Sequence, residues 1–520
     1  MVCNAACARA VRAFAIACTI ASRALSADAD VHPESKPALV PHELPPPAEP
    51  TRSTERDRQL GPGRYSPSYA RAVLEVAGVL SLGVAQYWSN SKGNSEDWDF
   101  PRWSDRFSSH GVRFDNNTNV TNNVLHPLAG SAYYGLSRAN SLSVPAAAAF
   151  TFAGSAIWEG TLEWREKVSI NDMVATTFGG IAAGEFFVQL ASYLNSSPAE
   201  TNLAQDVAKV TLGFPVWVHE ELDSRPRDPR PARDNLGFSS EYTHHFSAAY
   251  QNSWVGDGVQ SQTMRGVALD ARLVSLPGYL DPESFDSTFA QGNFTSGALA
   301  LQFDGEGLRD ARMKVDAVLA GYYGQRATGR AVIGALLGVA TGIEFVAEDT
   351  LQSGDQYALI HLAGPQLGAT WKSNGYQLDL GVRASADFGS IRSLAWPALH
   401  DADPDATYKS TLARSYQYNY GFSTRLAGEL RLRAARLYAE LGWGSYRSIQ
   451  GLDRFQEKIT RDPAGSEVLD ENRLGLALEP PDTPLRFYTQ VEGFAHESYL
   501  GGQSGRRQER RLAIGAGMVF

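Results

Sequence analysis

The last ten residues of the chain form a strand pattern with two different faces. Alternate positions are apolar at Leu512, Ile514, Ala516, Met518 and Phe520, and the positions between them hold Arg511, Ala513, two glycines and Val519. Successive side chains of a β-strand point to opposite sides, so this segment has an apolar outer wall and a small inner one. The pattern predicts a strand with one face in lipid, and strands in lipid must close into a barrel to pair every backbone group.

The same period of two continues through the chain after about residue 241. In segment 376–388 one face is apolar, whereas Gln377, Asp379 and Arg383 share the other. Further alternating segments lie near 241–251 and at 264–275, 295–304, 309–323, 331–347, 356–372, 420–431, 437–443, 471–479 and 485–496. With the terminal strand they number about twelve. A soluble β-sandwich also alternates, but several of these segments exceed ten residues, which favours a tilted membrane crossing.

The C-terminal region resembles bacterial outer-membrane β-barrels, with Phe520 as the last residue and apolar residues at every second position before it. The resemblance implies the outer membrane of a Gram-negative bacterium as the location. It also implies two partners, the outer-membrane lipids and the barrel assembly machinery, which would recognise the chain through Phe520. Oppositely charged side chains on the inner face of such a barrel are expected to pair, and they either fill the lumen or leave a small passage.

Residues 1–27 are typical of a signal peptide. Arginines at 9, 12 and 23 flank an apolar stretch at 14–21, and small residues follow. All three cysteines lie in this segment, so the exported chain has no disulfide or thiolate chemistry. A lipoprotein attached at Cys18 is the alternative interpretation, but the apolar run before that residue is very short.

Composition excludes some functions. The chain has 57 acidic and 47 basic side chains, which argues against nucleic acid as a partner. The sequence holds no phosphate-binding loop, dinucleotide fingerprint or serine-nucleophile elbow, and no cofactor is predicted.

The fold class predicted is α+β multidomain, with an N-terminal α-helical bundle followed by an antiparallel transmembrane β-barrel of about twelve strands. After the signal peptide, the expected domains are a disordered proline-rich tether (28–65), a helical domain (66–223), a proline- and arginine-rich linker (224–240) and the barrel (241–520). Helices are expected in the long apolar runs at 69–88, 124–136, 144–162, 172–194 and, more weakly, 200–212.

The helical block at about 96–195 resembles an uncharacterised bacterial envelope family known only as a domain of unknown function. Polar and glycine positions carry the resemblance, among them Asp115-Asn116-Asn117, His126-Pro127, Arg138, Trp158-Glu159, Asp172, Gly179-Gly180 and Gly184-Glu185. The sequence departs from the family pattern at Gly160 and Thr177. The family implies no activity.

Within this block, His126, Glu159, Glu163 and Asp172 are the candidate catalytic residues. Carboxylates beside a histidine suit either acid-base chemistry or a metal, so we expect these four to converge between helices. Structural interpretations compete with this one. Asp172 completes a capping-box pattern that begins at Ser169, His126 precedes the proline that opens a helix, and Glu159 could pair with Arg138 or Arg165.

Other residues are assigned structural roles. Gly179 shares a helical stripe with Asp172 and Thr176, and small residues there allow a neighbouring helix to approach closely. The structural set comprises Arg138, Gly179, Gly180, Gly184 and Phe520. The Asp/Asn-rich run at 115–119 is interpreted as a turn rather than a calcium loop, because Val120 and His126 stand where glycine and glutamate are needed.

The sequence favours a non-enzymatic outer-membrane protein with a periplasmic or membrane-associated helical domain, acting as an envelope anchor or as a conduit for lipid or a small solute. The alternative is a lipid-modifying hydrolase that uses the His/Glu/Asp cluster. Placing the helices in the inner membrane is disfavoured, because Glu159, Glu163 and Glu185 would be costly there.

Overall fold

The structure is a computed structural model that describes residues 65–89, 98–108, 110–196, 201–223, 234–351, 353–481 and 483–520. The predicted signal peptide (1–27), nearly all of the tether (28–65) and most of the linker (224–240) lie outside the described residues. The described residues comprise the helical region and the barrel, which contact each other.

The helical region contains four long helices and three shorter ones. They are α1 Tyr69–Ser89, α2 Trp103–Arg106, α3 His126–Ala139, α4 Val144–Ile157, α5 Ile170–Asn195, α6 Leu203–Leu212 and α7 Phe214–Leu222. Wider π-helical turns precede α3 (Thr121–Leu125), end α4 (Trp158–Leu162) and interrupt α5 (Ala175–Gly179). A short parallel pair, β1 Val112–Arg113 and β2 Val168–Ser169, ties the segment before α3 to the start of α5.

Local sequence explains where these helices begin. Ser143 caps α4, since its side chain accepts a hydrogen bond from the backbone N–H of Ala146, and a proline follows in the first turn. Asn202 and Gln205 form a complete capping box at α6. Gly213 then separates α6 from α7.

The second half of the chain forms a closed antiparallel barrel. Its strands are β3 Thr243–Gly256, β4 Ser261–Val274, β5 Phe285–Phe289, β6 Phe294–Phe303, β7 Leu308–Thr328, β8 Ala331–Thr350, β9 Ser353–Ser373, β10 Tyr376–Ile391, β11 Gln417–Leu432, β12 Ala435–Ser448, β13 Gly465–Leu478, β14 Leu485–Leu500 and β15 Gln503–Val519. Each strand pairs with its neighbours around the ring, β7 pairs with β8, and β15 returns to β3.

One position in the ring is shared by two strands. Both β5 and β6 pair with the same edge of β7, with β6 along Leu308–Val318 and β5 along Gly321–Gln325. Residues 290–293 interrupt the pairing between them. The closed barrel therefore has twelve positions, which confirms the predicted fold class.

The two ends of the barrel differ. At the end where β3 begins and β15 finishes, here called the terminal end, several hairpins are tight. Asn374 and Gly375 both have positive φ (38° and 85°), as a type I′ turn between β9 and β10 requires. At the opposite end, here called the loop end, the connections 392–416 and 449–464 are long. The first contains α8 Trp396–Ala402 and α9 Ser410–Ala413.

Alternation along the strands separates an apolar outside from a charged inside. In β15, Leu512 and Ile514 are 39% and 49% exposed, whereas Arg511 and Ala513 between them are buried. The outer belt continues around the ring with Trp254, Leu337, Trp371, Leu380, Leu426, Leu441, Trp443 and Phe487. An apolar outer face and a charged inner face are typical of a barrel that spans a membrane.

Helix α5 lies along the outer wall of the barrel. Near the loop end, Ala175 packs among aromatic rings of β10 and β11. Halfway down, Phe186 packs on Val315, and at the terminal end the Tyr193 ring contacts Phe246 of β3. The helix thus follows the barrel over nearly the full height of the strands.

Strand alternation shows that this contact is on the outside. Val315 lies between Lys314 and Asp316 in β7, and the side chains of both form ion pairs across the lumen with β10 and β12. Val315 itself therefore points away from the lumen, toward α5.

Candidate functional site

A cluster of buried polar side chains lies where the helical region meets the loop end of the barrel. The β1–β2 pair places Asp115 beside Asn171 in the first turn of α5. The Oδ1 atom of Asp115 accepts hydrogen bonds from Asn171 Nδ2 (2.7 Å), Asn122 Nδ2 (2.8 Å) and the hydroxyl of Tyr418 in β11 (3.2 Å). Asp115 is thus fixed by both halves of the chain.

Glu159 takes part in the cap of α5. The hydroxyl of Ser169 accepts a hydrogen bond from the backbone N–H of Asp172 at 3.4 Å, as the capping-box pattern predicts. In a complete box the third helical residue would return the bond to the N–H of Ser169. Here Glu159 Oε2 accepts that N–H at 3.1 Å, so a residue from another helix completes the cap.

His126 and Asp172 meet between α3 and α5. The His126 Nε2 atom lies 3.3 Å from Asp172 Oδ1. The two atoms are not aligned for a hydrogen bond, and within the described part of the chain His126 Nε2 has no hydrogen-bond partner. Asp172 Oδ1 also accepts from Asn171 Nδ2 at 2.8 Å. The two side chains are thus close to each other without sharing a hydrogen bond.

Glu163 lies at the edge of the cluster, in the turn that follows α4. Burial, together with the negative charge of Glu166, raises the pKa of the Glu163 carboxyl well above its ordinary value. The turn itself is held by Arg106, whose guanidinium donates to the backbone carbonyls of Glu159 (2.5 Å), Gly160 (3.1 Å) and Glu166 (2.6 Å).

Ion pairs fasten the same turn to the loop end of the barrel. Glu166 accepts from Arg454 Nη1 at 2.9 Å and from the Tyr87 hydroxyl at 2.8 Å. Glu457 accepts from Arg113 Nη2 at 2.8 Å. Burial pushes the pKa of Glu457 upward, but its own backbone N–H and Arg113 outweigh that effect and hold the pKa below its ordinary value.

The structure therefore brings His126, Glu159 and Asp172 into one region, with Glu163 beside it. In the described residues, no group of three or more His, Cys, Asp or Glu side chains has a metal-binding arrangement. The sequence did not single out Asn122, Asn171 or Tyr418, and it placed Asp115 in a turn and among the residues of the family resemblance without a role in the site. The repeated Asp/Asn residues after 114 were the signal that could have been followed further.

A second polar group occupies the other end of the bundle. Arg138 and Glu185 are fully buried, and Arg138 Nε donates to Glu185 Oε2 at 3.0 Å. The Tyr134 hydroxyl donates to the same oxygen at 2.5 Å, and Gln189 donates to Oε1 at 2.6 Å. The expected pairing of Glu159 with Arg138 or Arg165 was wrong. Arg138 pairs with Glu185, and Arg165 lies over the rings of Trp88 and Trp98.

This second group reaches the break between β5 and β6. The carbonyl of Gln291 accepts from Arg138 Nη2 (3.2 Å) and from Gln189 Nε2 (2.5 Å). A Cβ at Gly292 would overlap the Glu185 carboxylate, so glycine is required where the helix approaches. The interrupted strand is thus closed by side chains of the bundle.

The glycines assigned structural roles lie where helices touch. A Cβ at Gly180 would overlap the backbone of Gly130 in α3, and one at Gly184 would crowd the Tyr134 ring. A Cβ at Gly179 would press on Pro127. These positions let α3 and α5 approach to backbone contact.

The inside of the barrel is packed with paired charges toward the loop end. His496 is fully buried between Asp355 (2.8 Å) and Glu467 (3.0 Å). A larger network joins Arg312, Arg507 and Arg511 to Asp310, Glu348, Glu492 and Glu509. Toward the terminal end lies a cavity of about 630 Å³, bordered by Arg272, Glu429 and Arg431.

Together these features define a membrane-type β-barrel with a helical bundle docked on its outer wall. Residues 111–214 match the model of a domain of unknown function, DUF3943, which confirms the family resemblance predicted for the helical block. No curated protein matches the chain.

Solved structures similar to the chain are outer-membrane barrels. The NanC porin is 9% identical, with a TM-score of 0.23, and the match covers 52% of this chain and 98% of the porin. OmpT of Vibrio cholerae is 9% identical (TM-score 0.22; 54% and 98% covered), and an anion-selective porin from Comamonas acidovorans is 8% identical (TM-score 0.21; 54% and 100% covered). The closed antiparallel ring of this chain is itself the architecture that the resemblance to outer-membrane β-barrels implies.

Proposed function

We propose that the protein is an outer-membrane β-barrel of a Gram-negative bacterium that anchors the helical bundle, rather than an open channel. The apolar outer belt and the charged interior support a position in the membrane. The observation that carries the anchoring role is the packed ion-pair network in the loop-end half of the lumen. In this proposal the partners are outer-membrane lipids and, during insertion, the assembly machinery that recognises Phe520.

A conduit through the lumen would need a continuous path between the two ends. The cavity at the terminal end is bordered by charged side chains, and Arg272 is half exposed within it. Beyond it, the side chains of Asp310, Glu348 and Arg511 are at most 3% exposed. Above these, Leu399 and Leu412 of the 392–416 connection pack on Leu500. The barrel therefore has the form of a blind cup that is closed at the loop end.

Two measurements test this proposal. The purified protein should migrate differently in SDS gels before and after boiling, as folded barrels do, and should give no steady current in planar lipid bilayers. A variant with Arg312→Ser and Arg511→Ser removes two central cations of the network, and a current from this variant, once its gel shift shows that it has folded, would identify the network rather than the 392–416 connection as the main barrier. A steady current from the native protein would refute the anchor, and an absent gel shift would refute the barrel.

A lipid-modifying hydrolase is the second candidate, and the proximity of His126 to Asp172 favours it. Against it, Asp115, Glu159 and Asp172 already accept structural hydrogen bonds, and among the described residues no hydroxyl is hydrogen-bonded to His126. Envelope lipid profiles of strains carrying Glu159→Gln or Asp172→Asn distinguish the candidates. A changed profile with normal amounts of folded protein would support the hydrolase, whereas an unchanged profile favours the anchor.

A further inference from the structure

The outward face of α1 has the wrong polarity for a helix in water. Its exposed residues are mostly apolar and include Val73, Leu74 and Leu82, and the polar ones among them are Ser81, Gln86 and Ser89. Leu74 and Leu82 are 72% and 73% exposed, and the Ser81 hydroxyl donates to its own backbone at Ala77. A surface helix of a soluble domain presents polar residues on this face.

The two charged residues of α1 lie at its start, where both are partly buried and paired with α7 or the residue that follows it. Arg71 pairs with Asp223 at 2.6 Å, and Glu75 lies 2.8 Å from His219 Nε2. From residue 76 to the end of the helix the sequence has no charged side chain. The polar side chains in this part are the uncharged Ser81, Gln86, Tyr87 and Ser89, and the last three lie in the final turn.

Helix α4 repeats the pattern. It contains no charged residue between Val144 and Ile157, and its exposed side chains are Pro145, Ala149, Phe152, Ala153 and Ile157. Phe152 is 53% exposed. Two neighbouring helices therefore form one continuous apolar surface on the side of the bundle away from the barrel.

This surface has the height of a bilayer core and is aligned with the barrel. The 21 residues of α1 rise about 30 Å, the thickness of the hydrocarbon layer. The start of α1 contacts Asp223, which follows α7 at the terminal end, and its last turn reaches Glu166 and Arg454 at the loop end. Helix and strands thus cross the same layer.

Aromatic side chains mark the loop-end boundary of this surface. Trp88 and Trp164 have ring centroids 5.6 Å apart, and Phe100 packs on Trp164 at 5.7 Å. The Arg165 guanidinium lies 3.4 Å from the centroid of the Trp88 ring. Tryptophan beside arginine is typical of side chains at a membrane–water interface.

We propose that the α1–α4 surface contacts the acyl chains of the same bilayer as the barrel, so that the helical bundle is embedded in the outer membrane beside the wall it packs on. This inference rests on the proposed outer-membrane location and goes beyond it, because it places α-helices in that membrane. The buried Arg138–Glu185 pair then lies away from lipid, between the bundle and the barrel, where charged residues of membrane helices are tolerated.

Single-cysteine labelling tests the proposal in the full chain. With Cys3, Cys7 and Cys18 replaced by serine, one thiol is introduced by Leu74→Cys, Leu82→Cys or Phe152→Cys. Leu441→Cys in the barrel belt is the lipid control, and Val259→Cys, 90% exposed in the β3–β4 hairpin, is the aqueous control. Each variant must first show the heat-dependent gel shift of a folded barrel.

The labelled variants are reconstituted in phosphatidylcholine vesicles with plain or brominated acyl chains. The expected result is that a fluorophore at Leu74, Leu82 or Phe152 loses as much fluorescence to bromine as one at Leu441, and that these thiols resist a water-soluble maleimide that labels Val259→Cys. Maleimide labelling equal to that at Val259 would place the bundle in water and overturn the proposal.

If the bundle positions are neither quenched by brominated lipid nor labelled by the maleimide, a second copy or another protein covers the surface. This result also overturns the proposal. If the fluorophore at Leu441 is quenched and those in the bundle are not, the lipid contact fails while the barrel's membrane location stands. If Leu441 is not quenched either, both proposals fail.

Discussion

Arg138 and Glu185 show how one buried ion pair joins the two halves of the molecule. Each is fully buried, and together they bind Tyr134, Gln189 and the carbonyl of Gln291 in the barrel wall. A buried charge without its partner is far more costly than the loss of a surface pair. The pair is therefore expected to dominate the stability of docking.

Arg138→Met should lower the free energy of unfolding of the helices by about 3–5 kcal/mol, because it leaves Glu185 charged and unpaired. The double variant Arg138→Met with Glu185→Met should recover part of this loss. Denaturation of the detergent-solubilised protein, followed by helical circular dichroism, measures both. Arg326→Ala, which breaks an exposed pair with Asp286, is the matched control and should change stability by about 1 kcal/mol or less. A double variant no more stable than the single one would contradict this account.

The raised pKa of Glu163 predicts that the stability of the fold depends on pH. Its pKa is raised in the folded protein, so folding penalises its ionised form. The contribution of Glu163 to stability should therefore be most favourable below the ordinary glutamate range and should be lost as pH rises through the raised pKa. Glu163→Gln should be more stable than the native protein at neutral pH and should show a flatter profile in thermal unfolding.

Glu457→Gln provides a control of opposite sign. The pKa of Glu457 is lowered, so its ionised form stabilises the fold above the ordinary glutamate range and that contribution is lost as pH falls. This variant should be less stable than the native protein at neutral pH. If both variants shift in the same direction, the assigned pKa directions are wrong.

Among the elements, the contact of α3 with α5 depends on the absence of side chains. A Cβ at Gly130 would overlap the carbonyl of Thr176 and crowd Gly180, whereas a Cβ at Gly78 in α1 meets no atom within 4 Å. Both glycines thus lie within helices, but Gly130 is tightly packed against α5 whereas Gly78 has open space beside it.

Gly130→Ala should destabilise the bundle by about 1–3 kcal/mol through overpacking. Gly78→Ala should leave it unchanged or stabilise it by up to about 1 kcal/mol, since alanine favours a helix. The shift in the midpoint of thermal unfolding measures both. Equal effects of the two substitutions would contradict the close helix packing.

Elements with a strong period could be predicted from sequence, and others could not. The strand pattern at 376–388 and the apolar run at 144–162 correspond to β10 and to α4 with its terminal turn, because alternation and helical repeats are local properties. Strand β5 has only five residues, and α7 follows α6 after a single glycine, so neither gives a separate signal.

The candidate site likewise contains contacts that the sequence predicts and contacts that it does not. The sequence predicts from residue chemistry that His126 and Asp172 converge between helices, and the two side chains lie 3.3 Å apart. The hydrogen bond from Tyr418 to Asp115 could not, because it joins residues 303 positions apart and exists only once the bundle has docked on the barrel. Likewise, nothing local to Glu185 shows that it pairs with Arg138.

For the whole molecule, the seam between the first and last barrel strands is the step that closes the ring. The backbone N–H of Phe520 donates to the carbonyl of Phe246 at 2.8 Å, and the Phe520 carbonyl accepts from the Phe246 N–H at 3.1 Å. Phe520 therefore pairs at the edge of β3, in addition to its proposed role as the residue read by the assembly machinery.

Deletion of Phe520 should reduce the amount of folded barrel in the outer membrane, because it removes both the terminal aromatic ring and two hydrogen bonds of the seam. Phe520→Tyr keeps the backbone and the ring and should assemble normally. The fraction of protein with a heat-dependent gel shift in isolated outer membranes is the measurement. Normal amounts after the deletion would show that assembly does not depend on this residue.

The break between β5 and β6 also bears on how such a protein can evolve. In the barrel wall at residues 290–293, the N–H of Gly292 donates to the carbonyl of Leu319 in β7, but the carbonyl of Gln291 accepts from Arg138 and Gln189 of the bundle. A descendant that lost the helices would expose the Gln291 carbonyl to acyl chains without a donor, at a cost of several kcal/mol for each unpaired group. Recombination is therefore expected to carry the two halves together, and a barrel inherited alone should carry a repaired, continuous strand at this position.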